Sequence, residues 1–449
     1  MIDRERLPPL MEREKAFFVR SHPKSQKLFE RARRSMMGGV PMNWMSKWPG
    51  GFPVFIDRAD GARFRDVDGR EYVDLCLGDT GAMTGHSPAA VVAAATRQLK
   101  KGVTAMLPNE DAVWVAEELQ RRFGLRYWQF ALTATDANRF SIRLARLATR
   151  RSKIVVFNWC YHGSVDETFA TLRDGRTVAR SGNIGPPVDP GVTTRVVEFN
   201  DPEALERALA PGDVAAVLAE PAMTNVGIVH PQPGFHAALR SLTRRHGTLL
   251  IIDETHTICA GPGGFTQEHG LEPDFFVLGK PVGGGVPSAV YGFSQEVADR
   301  ASARIKLSEC DTGGIGGTLA GNALSMAAMR ATLEKVLTPA AFKRMIPKAK
   351  RFTDGVETAL AETGVPWHVS RLGCRAEYLF HERVPRNGRE AAAAADFELE
   401  RFMHLYALNR GVLLTPFHNM ALMSPATTAA DVDRHTKVFR AAVGELTGR

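Results

Sequence analysis

A lysine and an acid with complementary chemistry follow two apolar runs of this 449-residue chain. Lys280 comes just after the run 275–278, where desolvation or cationic neighbours can lower the pKa of its amine and make it a nucleophile towards an aldehyde. Asp253 follows the run 249–252 and precedes the lysine by 280 − 253 = 27 residues. An acid on a strand of the same sheet can pair with a pyridinium nitrogen. The two residues therefore predict Schiff-base chemistry.

Hydroxyl groups follow another apolar run, at 130–132. Thr133, Ala134 and Thr135 open a helical segment, and the N–H groups at a helix N-terminus bind anions such as phosphate. A lysine for an aldehyde, an acid for a pyridinium and a cradle for a phosphate together predict a site for pyridoxal 5'-phosphate. Each motif alone has an ordinary explanation, such as a solvated loop or a helix N-cap, so the prediction depends on the combination.

The apolar runs that carry these residues are continuous rather than alternating, as in strands buried on both faces of a parallel sheet. They occupy residues 130–132, 154–157, 214–219, 249–252, 275–278 and 289–293. Amphipathic helical stretches, such as 137–149 and 235–246, lie between several of them. This alternation predicts a doubly wound α/β core. Ligands bind outside the carboxyl ends of its strands, so the reactive side chains should gather at one edge.

Both ends of the chain differ from this core. Residues 54–75 predict a small antiparallel unit with a hairpin turn at Asp68-Gly69. After about residue 335 the chain favours helices, and an alanine run opens a predicted helix that extends from 391 to 409 and is closed by Gly411. The C-terminal part also predicts two short β segments, near 377–380 and 412–415.

These patterns divide the chain into a large domain and a small one. We predict a large cofactor-binding domain over residues 76–334. The smaller α+β domain is predicted to combine an N-terminal segment, residues 1–75, with a C-terminal part, residues 335–449.

Charge, hydropathy and cysteine usage exclude several classes of protein. The net charge of 57 − 49 = +8 is spread along the chain among acids, so no nucleic-acid partner is expected. No run approaches eighteen apolar residues and no apolar segment follows the N-terminus, so neither a membrane span nor a secretory signal is predicted. The odd, widely spaced cysteines favour a reducing cytoplasm and no structural metal: Cys76, Cys160, Cys259, Cys310 and Cys374.

The segments 250–254 and 278–280, with the glycine run 283–285, resemble one known family. The chain is similar over nearly its whole length to the class III, fold type I pyridoxal-phosphate-dependent aminotransferases. It looks closest to the branch that contains glutamate-1-semialdehyde 2,1-aminomutase. The resemblance implies an α/β fold in which a large domain holds a mainly parallel sheet between helices and a smaller α+β domain is formed by both termini.

The resemblance also implies a role for each matching residue. Lys280 holds the cofactor covalently and moves the proton, and Asp253 pairs with the pyridine nitrogen. Tyr161 stacks on the cofactor ring. The turn Thr133-Ala134-Thr135 holds the phosphate, although alanine stands where the family usually has glycine.

Three further positions match the family less simply. Glu220 corresponds to an acid near the cofactor. His256 stands just after Thr255, where the family often has valine, and either binds the cofactor's phenolic oxygen or caps a helix. Thr318 matches a threonine that reaches the phosphate of the neighbouring subunit, so the resemblance implies a homodimer with shared active sites.

The substrate pocket is predicted from the same resemblance. Relatives that bind amino-acid carboxylates often carry an arginine near Pro416, where this chain has Phe417. Trp44 and Met45 match a region that lines the pocket in relatives, together with Tyr161, and suit an apolar substrate. The alternative is that Trp44 and Met45 pack a dimer interface.

We therefore expect a transaminase that moves an amino group from an amine or amino acid with an apolar part to a keto acid or aldehyde by double displacement. An aminomutase, which moves the group within one molecule, is the nearer alternative. A non-enzymatic α/β binding protein is the more distant one.

Overall fold

The computed structural model describes residues 2–186, 188–306 and 313–448, so Cys310 lies outside the described residues. The helices within these ranges are α1 (Leu7–Ser21), α2 (Pro23–Ala32), α3 (Ala89–Leu99), α4 (Glu110–Phe123), α5 (Ala134–Thr149), α6 (Pro202–Leu209), α7 (Phe235–Arg245), α8 (Gly264–Glu268), α9 (Gln295–Ser302), α10 (Ala323–Ala331), α11 (Pro339–Thr363), α12 (Gly388–Ala393), α13 (Phe397–Asn409) and α14 (Ala429–Thr447).

The strands are β1 (Ile56–Asp60), β2 (Arg63–Asp66), β3 (Glu71–Asp74), β4 (Tyr127–Ala131), β5 (Lys153–Phe157), β6 (Ala170–Arg173), β7 (Arg176–Ala179), β8 (Thr194–Val197), β9 (Val214–Ala219), β10 (Leu249–Asp253), β11 (Phe275–Leu278), β12 (Ala289–Phe293), β13 (His368–Leu372), β14 (Arg375–Leu379), β15 (Val412–Leu413) and β16 (Met420–Leu422).

The described residues pack as two compact units. One contains Met1–Pro88, Ala340–Val384 and Ala394–Arg449, and the other contains Ala89–Pro339 and Pro385–Ala393. The predicted boundaries, after residues 75 and 334, fall before these positions. His86 explains part of the difference, because its ring bonds the Asp74 carboxylate at 2.7 Å and so ties the segment after residue 75 to the first unit.

The second unit is built on a seven-stranded sheet in the order β4-β12-β11-β10-β9-β5-β8. Strands β8, β5, β9, β10 and β11 run parallel, whereas β12 runs antiparallel to both of its neighbours. Every residue of β9, β10 and β11 is buried, which is why these segments are continuously apolar. The predicted α/β core is confirmed, with β12 as the antiparallel exception.

The first unit contains two smaller sheets, β1-β2-β3-β15 and β13-β14-β16. The predicted antiparallel hairpin is present, and Gly69 has the positive φ of 89° that its turn requires. Strand β1 begins at Ile56 rather than at residue 54. The single helix predicted from 391 to 409 is wrong.

Two helices, α12 and α13, replace that single helix. Alanine favours a continuous helix, but the Asp396 side chain accepts the backbone N–H of Leu399 at 3.1 Å and starts a new helix there. The break also coincides with a boundary between the two units, at Ala393 and Ala394. Local propensity therefore yields to packing at this point.

Within the described ranges, none of the helices combines the length and the apolarity that crossing a bilayer demands. The cysteines of these ranges, Cys76, Cys160, Cys259 and Cys374, are all buried and free.

The C-terminal helix α14 buries a histidine. His435 is 1% exposed and its ring stacks on Phe352, with the two ring centroids 4.3 Å apart. Burial disfavours the imidazolium and lowers the pKa of His435 to about 3. The folded chain therefore holds this ring neutral at pH values where an unfolded chain, with a pKa near 6.5, takes up a proton.

We expect His435→Leu to make the first unit less sensitive to acid. The wild-type contribution of a neutral His435 is fully present above pH 6.5 and is lost as the pH falls towards 3. Between pH 7 and pH 5 the variant should gain about 2 kcal/mol in free energy of unfolding relative to the wild type. Urea unfolding of both proteins across this pH range measures the difference. Parallel curves for the two proteins would contradict the prediction.

Candidate active site

The register between two neighbouring strands brings the predicted lysine to the edge of the large sheet. Parallel strands β10 and β11 pair Asp253 with Val277, so the residues three positions further along, His256 and Lys280, come side by side. Two contacts extend this register: the backbone N–H of Glu254 donates to the Val277 carbonyl at 2.8 Å, and the Thr255 hydroxyl oxygen accepts the N–H of Gly279 at 3.2 Å. Lys280 Nζ lies 2.8 Å from His256 Nε2.

Asp253 is buried at the end of β10, where three groups hold its carboxylate. His162 Nδ1 lies 2.9 Å from Oδ2, and the Asn138 amide donates to the same oxygen at 2.8 Å. The backbone N–H of Thr255 donates to Oδ1 at 3.1 Å. The side chain of Asp253 is therefore fixed in orientation.

The charges of this group are set by competition between burial and pairing. Burial favours neutral forms of both Asp253 and His162. For Asp253 the pairing outweighs burial, because the hydrogen bond and the charge of His162 lower the pKa of its carboxyl group. Despite burial, Cys160 and the Asp253 carboxylate raise the pKa of His162 to about 10. The pairing thus favours the carboxylate form of Asp253, which is the form that a pyridinium N–H requires.

Sequence reasoning did not identify His162 and Asn138 as partners of Asp253. They lie 91 and 115 residues away from it along the chain, on a loop and on α5. The available signal was their position, because His162 directly follows Tyr161 and Asn138 lies three residues after Thr135.

The predicted phosphate turn caps helix α5. Thr133 Oγ1 accepts the backbone N–H of Asp136 at 3.1 Å, and Thr135 Oγ1 accepts that of Ser164 at 2.9 Å. The first N–H groups of the helix have no partner within it, so they can serve an anion. The same turn lies against the lysine segment, since a Cβ placed on Gly279 would come within 2.8 Å of the Ala134 Cβ.

Gly163 closes the other side of the phosphate turn. Its φ is 79°, and an added Cβ would overlap Thr135 Oγ1 and lie 2.9 Å from Thr135 Cα. No residue with a side chain fits this position unless the turn moves. The glycine thus explains how the loop after β5 approaches the start of α5 so closely.

Other predicted site residues lie in the same unit. Tyr161 is half-buried, and its ring centroid is 6.3 Å from that of Phe169 in an edge-on arrangement. Glu220 is buried and accepts a short hydrogen bond from Thr224. Thr318 is exposed.

His256 occupies the N-cap position of the helical turn that follows it, Thr257–Ala260, without a side-chain capping hydrogen bond. Its backbone carbonyl accepts the N–H of Cys259 at 3.3 Å, and the choice between the two roles left open for its side chain stays a prediction. Its ring contacts the lysine amine.

Two of the predicted pocket residues meet in the first unit. The ring centroids of Trp44 and Phe417 are 5.6 Å apart, and Lys47 Nζ lies 5.0 Å from the Phe417 ring centre. Met45 is 44% exposed. Tyr161, the fourth predicted pocket residue, belongs to the second unit.

A family model described as aminotransferase class-III matches residues 44–443. The chain belongs to this family. The class-III resemblance and the fold type I architecture that it implies are thereby confirmed.

This class-III aminotransferase is similar to proteins with two kinds of name. It is 36% identical over 430 residues to the glutamate-1-semialdehyde 2,1-aminomutase of Sorangium cellulosum (strain So ce56), over 94% of this chain and 96% of the relative. It matches a crystal structure of a glutamate-1-semialdehyde-aminomutase from Pseudomonas aeruginosa PAO1 with a TM-score of 0.97, 53% identity and 99% coverage of both chains. An omega-transaminase from Sphaerobacter thermophilus matches with a TM-score of 0.84 and 30% identity, over 94% of this chain and 97% of that one.

The cofactor is pyridoxal phosphate, and a variant of the Pseudomonas protein has been solved in complex with PMP, its aminated form. The residues described above fit this group. Asp253 is a buried, ionised partner for the ring nitrogen. The start of α5 offers N–H groups to the phosphate, and Lys280 supplies the amine.

We expect Gly163→Ala to weaken cofactor retention far more than Gly175→Ala does. Both glycines have a similar positive φ, 79° and 74°, but a Cβ at Gly175 meets no atom within 4 Å. The control therefore shares the backbone strain of about 1 kcal/mol without displacing the phosphate turn. Equilibrium dialysis should show a dissociation constant for pyridoxal phosphate at least tenfold higher for Gly163→Ala only. Equal effects of the two substitutions would contradict this account of the turn.

Proposed function

We propose that this class-III aminotransferase is an aminomutase of the glutamate-1-semialdehyde type, which moves an amino group from one carbon to the next within a single molecule. The observation that carries the proposal is the similarity to proteins of that name, at 36% identity to the Sorangium protein and 53% to the Pseudomonas protein, over 94% and 99% of this chain. These comparisons favour the aminomutase alternative over the expected exchange between two molecules.

The chain's own residues supply binding and proton transfer in this proposal. When bound, pyridoxal phosphate supplies an electrophilic carbon and a ring that takes up electrons from the substrate. Asp253, kept ionised by His162, holds the proton on the ring nitrogen. The amine of Lys280 removes a proton from the substrate carbon and returns it at the neighbouring position. The start of α5 holds the phosphate and so orients both partners.

A second candidate is amino transfer from an amine with an apolar part to a separate keto acid or aldehyde. The contact between Trp44 and Phe417 favours it, because it builds an aromatic wall where the family resemblance implies a substrate pocket. Met45, in the same unit as Trp44 and Phe417, belongs to that pocket in this proposal. Glu220 is proposed to lie near the cofactor.

We also propose that the enzyme is a homodimer that works in the cytoplasm. The exposure of Thr318 supports a shared active site, because the resemblance implies that this hydroxyl serves the phosphate of the neighbouring subunit. The buried free cysteines support a reducing compartment. Sedimentation analysis measures the oligomeric state.

We expect incubation of the enzyme with glutamate 1-semialdehyde alone to yield the isomer whose amino group has moved from carbon 2 to carbon 1, detected by mass spectrometry after derivatisation. A parallel series offers amines and α-, β- and ω-amino acids with pyruvate as the acceptor. Product in the second series and none in the first would replace the aminomutase by the second candidate. Product in neither series would overturn both.

Lys280→Ala should abolish turnover in whichever series is productive, because it removes the amine that moves the proton in this proposal. It should also remove the visible absorbance band of the covalently held cofactor. The variant Lys280→Arg keeps the positive charge at this position but removes the nucleophile, since a guanidinium stays protonated. Turnover at the wild-type rate by either variant would contradict the assignment.

A further inference from the structure

The lysine amine of this site has a second nitrogen base as its neighbour. Lys280 Nζ and His256 Nε2 are 2.8 Å apart, which is a hydrogen-bonding distance. Both side chains are half-buried, while Asp253, Glu254, Thr255 and Thr257 around the histidine are buried. The contact therefore lies in a partly desolvated setting, where a hydrogen bond is stronger than in water.

Backbone geometry enforces this contact. The paired positions Asp253 and Val277 fix the two side chains at equal distances beyond adjacent parallel strands. Lys280 adopts a positive φ of 45°, a conformation that costs a residue with a side chain about 1 kcal/mol. Strained backbone of this kind clusters at active sites, which agrees with the position of Lys280 just after β11.

One hydrogen bond joins the two nitrogens, and its proton can belong to either of them. An ammonium only donates, so with a charged lysine the histidine must be the acceptor and carry its own proton on Nδ1. With a neutral lysine the imidazole donates through Nε2 instead. These two states differ by the transfer of one proton along a contact of 2.8 Å.

We propose that His256 is a catalytic acid–base partner of Lys280, which takes the proton from its ammonium and returns it. In the forward step an N–H bond of the ammonium breaks and an N–H bond forms at His256 Nε2. The electron pair stays on Nζ, which becomes the nucleophile, and the imidazole becomes imidazolium. The reverse transfer restores both groups, so no external reactant is needed. This role rests on the proposed function, because it concerns the lysine that moves the proton in that reaction.

This role differs from the one that the family resemblance left open, in which His256 binds the phenolic oxygen of the cofactor. A residue that serves only the cofactor takes up no proton from the lysine amine. A proton acceptor for the amine changes the reactivity of Lys280 with or without cofactor.

Competitive acetylation of the full-length, cofactor-free enzyme therefore tests the proposal. Trace acetic anhydride is added at neutral pH, and the labelling of Lys280 is read by peptide mass spectrometry relative to Lys350. That reference lysine is exposed and pairs with Asp354. Three proteins are compared: the wild type, His256→Gln and His256→Ala. The glutamine variant retains an acceptor oxygen near Nε2 but cannot take up the proton.

Both variants should lower the relative labelling of Lys280 at least tenfold, since general-base assistance is typically worth 10²–10⁴-fold. Free imidazole should restore labelling in His256→Ala, while the non-basic analogue thiazole should not. Restoration by imidazole also shows that the alanine variant is folded. His246→Ala is the matched control, because His246 bonds Glu206 at the end of α7 and should leave the labelling unchanged.

Wild-type labelling of Lys280 in both variants would overturn the proposal. Retention by His256→Gln alone would also overturn it, because a hydrogen-bond acceptor would then suffice without proton uptake. Turnover of the loaded proteins is measured separately. If the wild type converts no substrate of either series while the labelling follows the expected pattern, the proposed function fails and the pairing of Lys280 with His256 stands.

Discussion

The pairing register of β10 and β11 is the constraint on which the site depends. Parallel strands point their carboxyl ends to one edge, so every residue that follows them is brought to that edge by the same hydrogen-bond ladder. Asp253 is the last residue of β10, and Lys280 lies two residues after the end of β11. A slip of one residue would turn the side chain of Asp253 to the other face of the sheet and separate the acid from its histidine. The relative positions of the reactive side chains are therefore fixed by the strand pairing of the sheet.

A buried ion pair stabilises the reactive form of the acid rather than the fold as a whole. Desolvation of Asp253 and His162 opposes their charges, and the bonds between them offset that cost. Removing either partner would leave the other charged and buried. The Asn138 amide adds a neutral donor to the same oxygen, so the carboxylate keeps its orientation without a second positive charge.

The sequence alone predicted six of the seven strands of the large sheet, because each is a local apolar run, and it placed Lys280, Asp253 and the turn at Thr133 just after or at the ends of such strands. It missed β8, and the roles of the three sites stay predictions. It was not sufficient for His162 and Asn138, whose link to Asp253 exists only after distant segments fold together. The break between α12 and α13 was also missed. An alanine run has high helix propensity, whereas the N-cap at Asp396 that starts α13 is a signal from a single residue. Packing decides between the two. The contact of His256 with Lys280 follows from a register that no single segment reveals.

The short stretch Pro385–Ala393 packs with the large unit although the residues on both sides of it belong to the small one. The polypeptide thus passes from one unit to the other four times, after Pro88, Pro339, Val384 and Ala393. Neither unit corresponds to a contiguous gene fragment. Recombination between homologues could exchange a complete unit only through several simultaneous crossovers, so the two parts are inherited together and their sequences must change in concert.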